Sequence, residues 1–113
     1  MDNITQTLTS LADDLEIDEE MLKEILILFF ENMPGQISAM KSHASNKELS
    51  DIHVISHTIK GTSANLHYED ISKTAADIET LALSGNHTFE AYDALFNKLS
   101  LQLAHAKMQI FYK

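Results

Sequence analysis

Apolar residues along this chain recur every three or four positions and never settle into strict alternation. That pattern predicts amphipathic helices and no strands. The first candidate is short, with Ile4, Leu8, Leu11 and Leu15 on one face. Asp18 then reads as an N-cap, with Glu19 and Glu20 complementing the dipole of the turn that it opens. From there Leu22, Ile25, Phe29, Met33, Ile37 and Met40 form a long stripe. Pro34 lies inside that stripe and is expected to kink or interrupt the helix. A polar stretch at 42–47 ends it, and a third helix is expected from about 48 to 66. After a short connection at 68–70, Ile71, Ala75, Ile78 and Leu81 mark a fourth, with Gly85 suited to its C′ position. The last begins near Thr88 and carries Phe89, Tyr92, Phe96, Leu99, Leu103 and Ile110 on its apolar side. Four long amphipathic helices with short connections predict an all-α fold, an antiparallel four-helix bundle. The additional short N-terminal helix would pack across one end.

Composition narrows the picture. The 113 residues suit a single domain, 1–113, and 3 Gly and 1 Pro are too few breakers for a turn-rich β fold. The absence of Cys excludes disulfides, zinc–thiolate sites and thiol catalysis. A net charge of -9 disfavours nucleic-acid backbones and anionic membrane surfaces. The N-terminus has no basic leader, and the longest apolar run, 25–30, is too short to cross a bilayer. A soluble, cytoplasmic protein is expected.

The chemistry concentrates in the third helix, at Ser56-His57-Thr58-Ile59-Lys60-Gly61-Thr62-Ser63-Ala64-Asn65-Leu66. With about 100° per residue, Ile55, Ile59 and Leu66 fall within roughly 20° of the side opposite His57. The burial that seats this helix therefore exposes His57. Lys60 and Gly61, at i+3 and i+4, flank the histidine on its own face, and His53 and Ala64 extend that face. Neutral imidazole is a nucleophile near neutral pH and can accept a phosphoryl group on a ring nitrogen. Lys60 would balance the added charge. Gly61 costs the helix about 0.5–1 kcal/mol relative to alanine, and it removes a side chain where a partner must approach.

The ten residues from His57 to Leu66 resemble the signature of histidine phosphotransfer (HPt) domains: His, any residue, Leu or Ile, Lys, Gly, small residues, then an aliphatic residue nine after the histidine. The resemblance extends to chain length, to the expected bundle and to the acidic second helix with its internal proline. It implies that His57 is the phosphorylated residue, that Lys60 assists the phosphoryl group and that Gly61 admits a receiver domain. Two positions depart from the pattern. His67 stands where the family usually has Gly, and histidine is among the residues that tolerate positive φ. Glu79 stands where a Gln often lies near the active histidine. It can accept a hydrogen bond from imidazole and would repel a phosphoryl group close by.

The resulting expectation is a stand-alone, monomeric phosphocarrier of a multistep His–Asp phosphorelay. It would accept a phosphoryl group on His57 from the receiver domain of a hybrid sensor kinase and pass it to a response-regulator receiver. No Gly-rich phosphate loop is present, so neither an ATP site nor autokinase activity is expected. No cofactor is expected in this chain, and the Mg of the reaction would sit in the receiver. The rival is an adaptor or inhibitor that binds a receiver or kinase through the same surface without carrying phosphate. His53 and His57 have metal-ligand spacing on a helix, but no further ligand is evident in the sequence, so no dedicated metal site is expected. The run 25–30 is apolar all round: either the N-terminal helix covers the extra face, or Leu26 and Phe30 form an apolar docking patch beside the histidine.

Overall fold

The computed structural model describes residues 8–111, so Ile4 of the first stripe lies outside the described residues. Five helices follow one another: α1 (Leu8–Leu15), α2 (Glu19–Ser45), α3 (Leu49–Asn65), α4 (Glu69–Leu83) and α5 (Phe89–Phe111), with no strand among the described residues. α2 packs on α3, α3 on α4, α4 on α5 and α5 back on α2, while α1 lies against α2. The four long helices thus close a ring around one core. The α3–α4 packing is the most extensive of these.

Local sequence explains where the helices begin and stop. The Asp18 carboxylate accepts from the Glu20 and Met21 amides at 3.0 and 3.2 Å, so the N-cap is made as expected. α1, α2, α3 and α4 are each followed by a residue of positive φ: Glu16, Lys47, His67 and Gly85. After α3 the His67 amide donates to the Ala64 carbonyl and the Tyr68 amide reaches back to Ser63 at 2.8 Å. This paired arrangement is the Schellman stop, built here on histidine instead of glycine. The same two bonds, from Lys47 and Glu48 to Ala44 and His43, end α2.

Three expectations are corrected. Pro34 does not interrupt α2, which is continuous through it. Its ring lies on the exposed side, and Met33 and Ile37 are buried on either side of it. A buried residue of that size contributes about 1.5–3 kcal/mol, enough to offset one missing backbone bond. Leu26 and Phe30 do not form a docking patch: they are 0% and 6% exposed. Phe30 instead packs against Phe29, Tyr68 and Phe111, with ring centroids 5.1–6.1 Å apart. The outward apolar residues of that run are Ile25, Ile27 and Leu28. Finally, α3 is seated slightly rotated from the predicted face. Ile52, Ser56, Ile59 and Ser63 are buried, followed by Leu66, whereas Ile55 is only half-buried. The two fully covered serines put little bulk in the core, so α4 can approach closely. Ser56 Oγ is satisfied locally by the Ile52 carbonyl at 2.8 Å.

Candidate functional site

α3 carries His53, His57, Lys60, Gly61 and Ala64 along one outward strip. α4 contributes a single acidic side chain to that strip. Glu79 rises from the buried face of α4 between Ile78 and Ala82 and is itself buried. Lys60 and His57 each hydrogen-bond one of its two oxygens, and His53 approaches the second. Lys60 Nζ donates to Oε1 at 2.7 Å, and His57 Nδ1 lies 2.8 Å from Oε2. His53 Nε2 lies 3.1 Å from the same Oε2.

The charge on Glu79 settles who donates. Lys60's hydrogen bond holds its carboxyl below the usual range, against the opposing effect of burial, and the His57 contact lowers it further. An ionised carboxylate accepts only, so His57 must carry its proton on Nδ1. A neutral ring then has its lone pair on Nε2. The His57 side chain is 63% exposed while Glu79's is 10%. The nitrogen with the lone pair therefore belongs to an open ring whose other nitrogen is held on a covered acid.

The neighbours set the approach. A Cβ built on Gly61 would meet nothing within 4 Å, so the glycine serves no close packing inside the chain. Ala64 is exposed and low. On the side of α3 away from α4, a groove runs against α2, lined by Ile25, Leu28, Asn32, Gln36, Thr62 and Asn65 among others. Leu28 is 59% exposed there. His57 thus has a buried carboxylate on one flank, and an open apolar groove begins farther along α3, at Thr62 and Asn65.

A family model described as Hpt domain matches residues 24–109. The chain belongs to the Hpt domain family. Neither the curated proteins nor the solved structures contain a significant match to it. Hpt domains are helical phosphocarrier modules of phosphorelay signalling, not kinases, and they work with receiver domains of response regulators and hybrid kinases. Among its described residues this Hpt domain has no helix long and apolar enough to cross a membrane.

For this Hpt domain the structure brings together His53, His57, Lys60 and Glu79, and leaves Gly61 and Ala64 open beside them. Sequence reasoning missed the His53–Glu79 contact and the groove that Ile25 and Leu28 line. The 22-residue separation of His57 and Glu79 falls on neighbouring helices, and only the α3–α4 register decides which side chains meet. Lys60, expected to balance the charge of a phosphoryl group, rests on Glu79 in this structure.

Proposed function

We propose that His57 accepts a phosphoryl group from an aspartyl phosphate of one receiver domain and returns it to the aspartate of another. The observation that supports this most is the open imidazole whose Nδ1–H is held by a covered carboxylate. In the forward step the Nε2 lone pair attacks phosphorus. A nitrogen–phosphorus bond forms, the bond from phosphorus to the aspartate oxygen breaks, and the aspartate leaves as carboxylate. The proton remains on Nδ1, so the ring becomes cationic, and Glu79 is placed to stabilise that charge. The reverse step regenerates a neutral ring, which makes it a competent leaving group.

Glu79 in place of the customary Gln is compatible with this chemistry. It binds the far nitrogen, so a phosphoryl group on Nε2 points away from it and into solvent. Lys60 is then the mobile element. Its ion pair holds it beside the ring, and a short swing brings its ammonium to the phosphoryl oxygens. Positioning and charge compensation suffice for such a transfer. The receiver would supply its own Mg.

The same reading takes the docking surface to be the groove beside Ile25 and Leu28, continued over Thr62 and Gly61. A receiver seated there reaches His57 without meeting a side chain at position 61. A single-domain, cytoplasmic monomer, with its four ring helices antiparallel, belongs to this reading as well.

The test is incubation with a purified phosphorylated receiver. Label should appear on the wild-type chain, be lost in acid and persist in base, and be missing from His57→Gln. Label retained by His57→Gln would refute the assignment. Binding without label in the wild type would favour the adaptor role.

A further inference from the structure

We infer that His53, His57 and Glu79 form a binding site for a divalent transition ion of the zinc class. Three potential ligand atoms, one from each residue, lie within 4.8 Å of one another. Zinc bonds of about 2.0–2.2 Å to nitrogen and oxygen put tetrahedral ligands roughly 3.3 Å apart. The contacts found here, 2.8 Å from His57 Nδ1 and 3.1 Å from His53 Nε2 to Glu79 Oε2, need only a small outward shift to admit an ion. Two imidazoles and a carboxylate make a donor set that suits zinc, and the exposed His57 side leaves the fourth position to water.

The acid makes this more than a chance pair of histidines. Glu79 is nine-tenths covered and is fixed by Lys60 through its other oxygen, so Oε2 is aimed at both rings before any ion arrives. Outer-shell bonds of that kind orient a ligand and raise its affinity. His53 and His57, one helical turn apart on α3, have ring centroids 6.0 Å apart. The only other described cluster of this type, His43 with Glu48 and Asp51, offers one imidazole and two exposed acids.

A bound ion would change what His57 can do. Metal on Nδ1 uses that nitrogen's lone pair, so the ring proton moves to Nε2. An Nε2–H imidazole has no lone pair with which to attack phosphorus. Zinc at this site therefore blocks phosphoryl acceptance, a consequence that rests on the phosphotransfer reading, whereas the binding itself does not.

The experiment is zinc titration of the full chain, purified without an affinity tag, in competition with a chromophoric chelator. One ion per chain is expected. Loss of outer-shell bonds alone weakens metal sites 10–100-fold, so His53→Ala should weaken binding by about tenfold or more, while His43→Ala should leave it unchanged. Helicity measured by circular dichroism shows that each variant is folded. In the labelling assay, zinc should slow the wild type by a larger factor than it slows His53→Ala with the same receiver. Equal zinc affinity in the wild type and His53→Ala, no binding at all, or loss on His43→Ala instead would overturn the site. Binding as expected with no labelling under any condition would leave the site standing and remove the phosphotransfer reading.

Discussion

Two clusters in this protein use nearly the same residues and are not alike. At the junction of α2 and α3, His43 Nδ1 lies 2.8 Å from Glu48 and 3.7 Å from Asp51. Across α3 and α4, His57 and His53 meet Glu79 at similar distances. The first pair of acids is about half exposed, whereas Glu79 is almost covered. The first cluster spans a turn and the second joins two packed helices. Contact distance alone therefore does not make a site. A covered acid has lost its water and depends on its donors, while an exposed acid trades one hydration shell for another.

The sharpest way to break this comparison is chemical. His57→Gln should abolish receiver-dependent label, and His43→Gln should leave it at the wild-type level. Equal loss would mean that the two histidines are equivalent. Stability should separate them next. Glu79→Ala removes a buried acceptor from Lys60 and His57 and should cost about 1–3 kcal/mol in denaturant unfolding. Glu48→Ala should cost less than about 0.5 kcal/mol, because Glu48 precedes α3 without making a side-chain cap bond.

The acid titration of the two regions follows the same logic. Lys60, and after it His57, lower the Glu79 value below its ordinary 4.5 in the folded protein. The unfolded chain then binds the proton more readily, so stability rises with pH across this interval. The contribution is fully present above 4.5 and is lost as pH falls through the lower folded value. Wild type should therefore lose its advantage over Glu79→Gln on acidification below 4.5, as read from denaturation midpoints. An advantage that grew with acid would show that the carboxylate is not held ionised.

The smallest effects concern the backbone. Gly61 and Gly35 are both helical, and a Cβ at either meets nothing within 4 Å. Alanine at each should stabilise by about 0.5–1 kcal/mol. Only Gly61→Ala should also slow labelling by a docked receiver. Equal transfer rates for both variants would remove the access role from Gly61. His67→Gly and Lys47→Gly should each gain a few tenths to about 1 kcal/mol in thermal or denaturant unfolding, by relieving positive φ.

Much of this was legible in the sequence because it is local. The Asp18 cap, the stop at His67, the C′ role of Gly85 and the exposure of His57 depend on residues within a few positions of one another. What escaped is tertiary. In an all-round apolar run such as 25–30, periodicity cannot say which residues the neighbours will cover. Tertiary packing, with Tyr68 and Phe111 against Phe30, buries Leu26 and Phe30 and leaves Leu28 out. The seating of α3 was misjudged by part of a turn because Ser56 and Ser63, polar in sequence, are small enough to go inside. The His53–Glu79 contact needed the register of two helices, and with it the third ligand that made a metal site arguable.

The open space above Gly61 has a meaning over evolutionary time. A change to alanine there would meet no steric objection from the fold and would gain stability. Nothing inside the protein protects that glycine. If it persists, it is held from outside, by whatever docks on α3. In a lineage that lost its partner, position 61 should be among the first to drift, well before any core residue changes.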